Sequence, residues 1–308
     1  MKILITGGAG FIGSHVADAC INAGHVVVIV DDLSSGAIEN VNPKSKLVKM
    51  DIRDEKIREL FKQEKFDVVI HHAAQMDLRK SVIDPRFDAS VNIIGSINLL
   101  ENCKDYGVKK FIFASTGGAI YGEQDYFPAD EAHPVRPLSP YGIAKLSVEK
   151  YLYFYRAVYS LQYVCLRYAN VYGPRQNPHG EAGVIAIFAN KMFAGEASVI
   201  NGDGKQTRDY TYVGDVVRAN MFALGYDKSD IFNVGTGIES DVNELFITIK
   251  RLTKSQCSED HGPPKKGEQQ RSVLDYSHIK EIFGWQPTVA LENGLESTVN
   301  YFREKMKK

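Results

Sequence analysis

Tyr141 and Lys145 have the residue types and spacing that most clearly point to chemistry in this sequence. They lie four residues apart in the segment SPYGIAKLSVEKYL, which is predicted to form a helix that Ser139 and Pro140 begin. Residues four apart share one helix face, so the two side chains are expected to be neighbours. A lysine ammonium beside a phenol stabilises the phenolate and lowers the tyrosine pKa from its ordinary value of about 10. The pair therefore predicts a tyrosine that acts as a general base.

A hydroxyl partner for such a base is expected at the end of the preceding strand. The run FIFAS brings Ser115 and Thr116 to that strand end, directly before Gly117 and Gly118. Short hydroxyl side chains at strand ends also cap turns, so each of the two has a structural alternative. The residues alone leave open which hydroxyl takes part in chemistry.

Glycines punctuate the turn between the first predicted strand and the first predicted helix. The strand KILIT runs directly into Gly7, and the pattern continues at Gly10 and Gly13 before the helix. Between a strand and a helix, such glycines permit a tight turn, a close approach of backbone to a pyrophosphate, and close packing of helix on strand. The N–H groups and dipole of the helix N-terminus attract the phosphates. The pattern predicts a dinucleotide site, and its first gap is one residue longer than in the general fingerprint.

Acidic residues follow the second and third predicted strands. Asp31 comes eighteen residues after Gly13, where a carboxylate accepts hydrogen bonds from the adenosine ribose and repels a 2'-phosphate. NAD is therefore favoured over NADP. Asp51 follows the third strand and could reach the adenine amino group, but a turn-forming aspartate explains it equally well.

Short β-branched segments alternate with longer helical segments through the first half of the chain. The predicted strands are KILIT, HVVVIV, KLVKM, DVVIHH, KFIFAS and YVCLRY, with a later one at 231–234. This alternation predicts an α/β fold, a Rossmann-type doubly wound parallel sheet with helices on both faces. We expect an NAD-binding domain of residues 1–167 plus about 208–235. A smaller α/β C-terminal substrate-binding lobe would interleave with it, made of residues 168–207 plus 236–308.

Composition excludes several classes of function. A formal net charge of -1 provides no general field for nucleic acid. No apolar run approaches the roughly 20 residues that a membrane span requires, and no leader segment is evident, so a cytoplasmic location is expected. The four cysteines are dispersed and lack the spacing of metal ligands. No metal site is predicted.

Taken together, the motifs resemble the extended short-chain dehydrogenase family over nearly the whole chain. They are GGAGFIG, the DD pair after the second strand, HHAA, STGGAIYG, SPYGIAK, RYANVYGPRQ and GDGKQTRDYTYVGDV. Within this family the chain is most similar to UDP-glucose 4-epimerases and their UDP-N-acetylglucosamine relatives. The resemblance implies reversible inversion at C4 of a UDP-hexose through a 4-keto intermediate, with NAD kept bound.

The resemblance also implies roles for individual residues. Tyr141 would be the base, Lys145 would bind the nicotinamide ribose and tune Tyr141, and Thr116 would bridge Tyr141 to the sugar oxygen, with Ser115 as the alternative. Further NAD contacts would come from Gly7, Gly10, Phe11, Ile12, Asp31, Asp32, Leu33, Ser34, Ser35, Gly36, Asp51, Ile52, His72, Ala73, Ala74, Gln75, Asn92 and Tyr168. UDP-sugar contacts beyond Thr116 and Tyr141 would come from Asn170, Val184, Ile200, Arg208, Lys265, Glu268, Arg271 and Ser272.

One substrate segment departs from the family pattern. Where the family commonly has Arg-Pro-Gly followed by an acid, this chain has Lys265 and Lys266 before Gly267 and Glu268. Lysine keeps the charge but loses the bidentate geometry of arginine, so Arg271 is a second candidate for the phosphate. A serine at position 272 should leave room for an N-acetyl group at C2 of the sugar.

The two glycines after Thr116 separate epimerisation from related reactions. The family's dehydratases have an acid pair there and its decarboxylases a glutamate, whereas Gly117 and Gly118 cannot protonate a leaving hydroxyl. The alternatives are a UDP-uronate epimerase or decarboxylase of the same family, or a non-catalytic NAD-binding sensor. The resemblance further implies a homodimer, formed by helices around residues 94–103 and 148–158.

Overall fold

The computed structural model describes residues 1–178, 183–264 and 269–307. Their internal contacts divide the chain into two compact units. The first unit comprises Met1–Ile120, Pro137–Arg167 and Val217–Phe232, and the second comprises Tyr121–Arg136, Tyr168–Val216 and Asn233–Lys308. Residues 121–136, 208–216 and 233–235 thus belong to the second unit, whereas the sequence boundaries placed them in the first.

Strands and helices alternate along most of the chain. The strands are β1 (Lys2–Thr6), β2 (Val26–Asp31), β3 (Lys46–Lys49), β4 (Val68–His71), β5 (Lys110–Thr116), β6 (Gln162–Tyr168), β7 (Asn170–Tyr172), β8 (Ser198–Asn201), β9 (Thr207–Tyr212), β10 (Asp230–Val234), β11 (Glu239–Asp241) and β12 (Glu259–Gly262). The α-helices are α1 (Phe11–Asn22), α2 (Ile57–Glu64), α3 (Leu78–Ile83), α4 (Pro85–Ala89), α5 (Gly95–Asp105), α6 (Gly117–Ile120), α7 (Pro140–Tyr159), α8 (Val184–Ala194), α9 (Val213–Gly225), α10 (Val242–Thr253), α11 (Ser277–Phe283) and α12 (Leu291–Lys305). A 3₁₀ turn covers Ile38–Asn40 and a π-helical turn covers Ser90–Ile94.

The first unit is built on a seven-stranded sheet in the order β10-β6-β5-β4-β1-β2-β3. Parallel pairing joins β3, β2, β1, β4 and β5 in succession. The inner strands β2, β1, β4 and β5 are mostly apolar because helices cover both faces of such a sheet, whereas the edge strand β3 begins and ends with exposed lysines. The strand order reverses between β1 and β4, and ligands of doubly wound sheets bind beyond the carboxyl ends of the strands at that point. The sheet therefore brings the residues after β1, β2, β4 and β5 to one edge.

Helix α7 packs against this sheet and aligns the predicted base. Val148 and Leu152 on α7 are fully buried in the same core as Phe111 and Phe113 of β5. Ser139 caps the helix by accepting a hydrogen bond from the Gly142 amide, and Pro140 takes the first helical position, where its missing N–H costs nothing. The local sequence therefore sets where α7 begins, and its apolar face sets how it is rotated.

The second unit has small sheets packed with helices. Strand β9 pairs antiparallel with β11 and parallel with β7, and β8 pairs parallel with β12. Helices α8, α10 and α12 meet around the buried aromatic side chains Phe188, Phe246 and Phe302. Among the described residues of the chain, no helix is long and apolar enough to cross a membrane.

Candidate active site

The predicted glycine turn packs directly against the segment that follows β4. Gly7 has a φ of +69°, and a Cβ added there would lie 2.6 Å from the Ala73 amide nitrogen. A Cβ at Gly13 would lie 2.3 Å from the carbonyl oxygen of Gly7. Both positions therefore exclude any side chain, and the first turn of α1 can approach the loop closely. This cradle at a helix N-terminus fits the pyrophosphate of a dinucleotide.

Asp31 lies beside that turn at the end of β2. It is only 6% exposed, and its carboxylate accepts hydrogen bonds from the amides of Ala9 at 2.9 Å and Leu33 at 2.8 Å. Burial raises its pKa above the ordinary aspartate value. The neighbouring Asp32 is exposed, and its carboxylate accepts from the amide and hydroxyl of Ser34. Two carboxylates at this edge suit the hydroxyls of an adenosine ribose and disfavour a 2'-phosphate.

The residues predicted after β3 have other partners. Asp51 forms an ion pair with Arg53, at 2.5 Å between Oδ2 and Nη2, and this side-chain contact lowers the Asp51 pKa. Ile52 is 4% exposed and fills the space beside Gly95, where an added Cβ would lie 2.6 Å from its Cδ1. The contact of Asp51 with adenine stays a prediction. It would require the Asp51 carboxylate to bind the adenine amino group while it is paired with Arg53.

Gln75 and Asn92 hold each other at the sheet edge. The Asn92 Oδ1 accepts from the Gln75 amide, and its Nδ2 donates to the Gln75 carbonyl oxygen, each at 2.9 Å. Asn92 belongs to the π-helical turn, a feature frequent at functional sites. Both side chains also donate to Oδ1 of Asp88, at 3.0 Å. Sequence reasoning proposed Gln75 and Asn92 but missed Asp88.

Tyr141 and Lys145 are neighbours on α7, as the spacing predicts. The Lys145 Nζ donates to the Ala114 carbonyl oxygen at 2.9 Å. It lies 4.7 Å from the ring centre of Phe113 and 5.7 Å from that of Tyr141. These contacts bring the pair to the end of β5, beside the predicted hydroxyls.

The prediction that the Tyr141 pKa is lowered is wrong when only the groups of the protein itself act on the phenol. Burial, and secondarily the charge of Asp88, raise the Tyr141 pKa above its ordinary value. Burial lowers the Lys145 pKa from 10.5 to about 8, while Asp88 opposes that fall. The sequence expectation counted the neighbouring lysine but not the loss of solvent around the phenol, and desolvation of a phenolate is the larger effect here.

The two candidate hydroxyls at the end of β5 have different environments. Ser115 is 3% exposed and donates at 2.6 Å to Oε1 of Glu149, which lies two helical turns after Tyr141. Glu149 also pairs with Arg167 at 2.7 Å, both side chains being buried. Thr116 is partly exposed, the last residue of the strand, and has no side-chain hydrogen bond within the described part of the chain. Ser115 is thus part of a closed buried network, and Thr116 keeps its hydroxyl available.

The predicted substrate residues of the second unit differ in exposure. Asn170 is exposed at the start of β7, Val184 begins α8, and Tyr168 is 5% exposed. Ile200 is fully buried in the unit's apolar core, so any contact it makes with a ligand uses its main chain. The Nη1 of Arg208 donates to the carbonyl oxygen of Thr207 at 2.8 Å.

The guanidinium of Arg271 has partners in its own unit. Arg271 forms two hydrogen bonds with Glu239, at 3.0 and 2.7 Å, and its guanidinium lies 3.7 Å from the ring centre of Phe127. Such double engagement makes it a weaker phosphate candidate than the sequence suggested. Ser272 is 3% exposed. Lys265 and Glu268 lie outside the described residues.

Comparison with known proteins agrees with this geometry. A model of the NAD dependent epimerase/dehydratase family matches residues 3–235. The chain belongs to that family. It is 44% identical to the UDP-glucose 4-epimerase of Mycolicibacterium smegmatis, across 99% of both chains.

Solved structures of epimerases superpose on the whole chain. The UDP-glucose 4-epimerase of Thermotoga maritima, crystallised with UDP-glucose, matches with a TM-score of 0.98 and 51% identity over 99% of this chain and 100% of the other. The UDP-glucose 4-epimerase of Thermus thermophilus in complex with NAD matches with a TM-score of 0.94 and 42% identity, covering 98% and 99%. The predictions of a Rossmann-type α/β fold and of an NAD-dependent family are confirmed.

Within this family member, sequence reasoning missed the buried charges behind the predicted site. Glu149 could have been found, because it follows Lys145 by four residues and so shares the helix face of Tyr141. Asp88 and Arg167 had no such signal, since their roles come from contacts made across the fold. The arrangement as a whole can bind a dinucleotide at one sheet edge and hold a phenol, an ammonium and a free hydroxyl beside it.

Proposed function

We propose that this enzyme reversibly inverts the C4 hydroxyl of a UDP-hexose, interconverting UDP-glucose and UDP-galactose, with tightly bound NAD. The observation that carries the proposal is that Lys145, 5.7 Å from the ring centre of Tyr141, donates to the Ala114 carbonyl oxygen near the end of β5, where Thr116 is the last residue. Gly117 and Gly118 follow Thr116, so the described strand end offers no acid for dehydration. Its epimerase relatives support the same reaction.

Each catalytic residue has a role that follows from its position. Tyr141 as phenolate takes the proton of the C4 hydroxyl while the C4–H bond breaks and the carbonyl forms. Thr116 hydrogen-bonds the C4 oxygen, and Lys145 holds positive charge beside the phenol. When bound, NAD would supply the reversible hydride transfer at C4 that oxidation to the 4-keto sugar and its reduction on the opposite face require. The returning proton comes from Tyr141, so the cycle balances without a consumed reagent.

The residues that would hold NAD all lie in the first unit or directly after it. Gly7, Gly10, Phe11 and Ile12 would receive the pyrophosphate at the N-terminus of α1, and Asp31 would accept a ribose hydroxyl. The remaining proposed contacts are Asp32, Leu33, Ser34, Ser35, Gly36, Asp51, Ile52, His72, Ala73, Ala74, Gln75, Asn92, Tyr141, Lys145 and Tyr168. The described positions of Gly7 and Gly13 support this set most directly, because they admit no side chain.

Besides Thr116 and Tyr141, the residues that we propose as UDP-sugar contacts belong to the segments that the family resemblance identified. We propose Asn170, Val184, Ile200, Arg208, Arg271 and Ser272, with Lys265 and Glu268 from outside the described residues. Arg208 is proposed as a phosphate ligand from its motif, and the pairing of Arg271 with Glu239 makes Arg271 a weaker candidate than the sequence suggested.

Ser272 supports a wider choice of sugar. Its small side chain would leave room at C2, so we propose turnover of the N-acetylated pair, UDP-N-acetylglucosamine and UDP-N-acetylgalactosamine, as well. Ser272→Tyr should reduce turnover of UDP-N-acetylgalactosamine about tenfold or more while sparing UDP-galactose, a steric discrimination of about 1–3 kcal/mol. Equal turnover of the N-acetylated sugar by this variant would refute the proposal.

We further propose that the enzyme is a homodimer. Tyr151, Phe154 and Val158 lie on one face of α7 and are 39%, 44% and 57% exposed, and Ile94 beside α5 is 57% exposed. Helices α5 and α7 pack side by side, so these residues support an apolar patch on which a second copy could pack. Sedimentation of the wild type and of Phe154→Glu tests this, a dimer that becomes a monomer being the expected result.

The proposed reaction is tested by NMR of the purified protein without added NAD. The protein is incubated separately with UDP-galactose, UDP-N-acetylgalactosamine and UDP-glucuronate. Inversion at C4 of the first is expected, and inversion of the second would extend it to N-acetylated sugars. Inversion or decarboxylation of UDP-glucuronate alone would replace the proposal with a uronate activity. If no sugar changes even after NAD is supplied, a sensor function replaces it.

A further inference from the structure

Asp88 is a buried carboxylate that the proposed reaction does not use. It lies in α4, is 1% exposed, and its Oδ1 accepts from the side-chain amides of Gln75 and Asn92, each at 3.0 Å. Its Oδ2 is buried and has no hydrogen-bond partner among the described residues. A buried acceptor without a partner lowers the stability of the fold, and a functional role would explain why Asp88 occupies this position.

The charged groups that face Asp88 come mainly from α7. Helix α4 packs against α7, and the negative charge of Asp88 raises the pKa of both Lys145 and Tyr141. Burial raises the pKa of Asp88 itself, while the hydrogen bonds from Gln75 and Asn92 and the charge of Lys145 oppose that rise. The π-helical turn contributes only the neutral Asn92, and the segment after β4 contributes the neutral Gln75. His71 ends the same strand and His72 follows it, and burial and the charge of Lys145 lower the pKa of both, so both are neutral at pH 7.

The other cationic side chains on and near α4 lie closer to the protein surface. Arg79, Lys80 and Arg86 are all exposed. Lys80 and Arg53 lie over the Phe87 ring, at 4.6 and 5.5 Å from its centre. Water screens these exposed charges, so the buried Lys145 dominates the response to Asp88.

We propose that Asp88 is a positioning residue for the reaction, whose ionised carboxylate holds Gln75 and Asn92 in place and sets the electrostatic potential at Tyr141 and Lys145. The inference rests on the proposed function for its effect on turnover. A negative charge here favours the ammonium form of Lys145 and disfavours the phenolate of Tyr141. It therefore opposes the lowering of the Lys145 pKa by burial and helps to keep Lys145 charged. It also shifts the pH range in which Tyr141 and Lys145 work to higher values than they would have without Asp88.

Asp88→Asn removes the charge and preserves the shape. Loss of the negative charge lowers the pKa of both Lys145 and Tyr141, so both limbs of the kcat–pH profile with UDP-galactose should move about one unit toward lower pH. The KM should change little, because Asp88 touches neither substrate nor sugar-binding residues. The matched control is Ser96→Ala, which removes no charge but takes away a buried hydroxyl that donates to the Asn92 carbonyl oxygen at 2.6 Å and lies 2.9 Å from Nε2 of the neutral His71. It should leave the pH profile in place.

Two measurements separate this inference from the proposed reaction. NMR titration of ¹³C-labelled lysine in the NAD-loaded protein reports the Lys145 pKa whether or not the protein epimerises any sugar. A lower Lys145 pKa in Asp88→Asn, or in Asp88→Ser if the first variant does not fold, supports the inference. An unchanged Lys145 pKa overturns it, as does a ¹³C carboxyl signal showing Asp88 neutral between pH 6 and 9 in the wild type.

Discussion

Glu149 on the catalytic helix α7 and Asp88 on the neighbouring helix α4 are both buried carboxylates, but their partners differ. Glu149 accepts from the Ser115 hydroxyl and from two nitrogens of Arg167, so both of its oxygens are bonded. Asp88 has one oxygen bonded and one without a partner among the described residues. The cation that faces Asp88 electrostatically, Lys145, donates instead to a carbonyl oxygen. A buried carboxylate whose two oxygens are both bonded, such as Glu149, is expected mainly to stabilise the fold. A carboxylate with one unbonded oxygen, such as Asp88, is expected to act on neighbouring groups through its electric field.

The largest expected effect comes from opening the closed network. Arg167→Met would leave the Glu149 carboxylate buried without a cation, which should lower the free energy of unfolding by about 3–5 kcal/mol. Urea denaturation at pH 7 measures it. The control is Arg58→Met, whose exposed pair with Asp105, at 4.0 Å, should contribute far less to stability because water screens it. Similar losses in the two variants would contradict the assignment of Glu149 to structure.

A smaller effect of opposite sign is expected at Lys145. Its pKa is about 8 in the folded protein against an ordinary 10.5. Between these pH values the unfolded chain binds a proton that the folded chain has released, so stability rises with pH across that window. At pH 7, the buried ammonium lowers stability, and Lys145→Met should raise the free energy of unfolding by about 2 kcal/mol. Urea denaturation from pH 7 to 10.5 should show this gain disappearing.

Lys150→Met is the control for that titration. Lys150 is exposed on the same helix, and its replacement should change stability by less than about 0.5 kcal/mol at every pH. The Lys145 variant should also lose turnover, since charge beside Tyr141 is removed. Destabilisation of Lys145→Met throughout the pH range would show that the ammonium is a structural group like Arg167.

The smallest expected effects distinguish two adjacent hydroxyls. Ser115→Ala should lower the free energy of unfolding by about 1 kcal/mol, because a buried hydrogen bond to Glu149 is lost, and should retain turnover. Thr116→Val should retain stability and lower turnover about tenfold, equivalent to about 1.4 kcal/mol in the barrier. Thermal unfolding and turnover of UDP-galactose measure the two quantities. The reverse pattern would make Ser115 the catalytic hydroxyl.

Local signals in the sequence were enough for much of the fold and part of the site. All seven strands predicted from alternating segments occur, because short β-branched runs such as VVVIV favour buried strands of a parallel sheet. The cap at Ser139 and the proline after it determine where α7 begins, and a spacing of four residues places Lys145 beside Tyr141. The glycines of the first turn likewise follow from local geometry, since an added Cβ would clash. These features depend on residues near in sequence.

By itself, the sequence determined the strands of the sheet, the dinucleotide turn and the Tyr141–Lys145 pair. The tertiary structure alone decided which of the surrounding charged groups are buried and which partners they bind. Only the fold shows that Ser115 bonds Glu149 while Thr116 does not, that Arg271 is paired with Glu239, and that burial raises the Tyr141 pKa. It also brings Asp88 to Gln75 and Asn92. Burial and the choice of hydrogen-bond partner depend on residues that are distant in the chain, and desolvation can outweigh the attraction of a sequence neighbour.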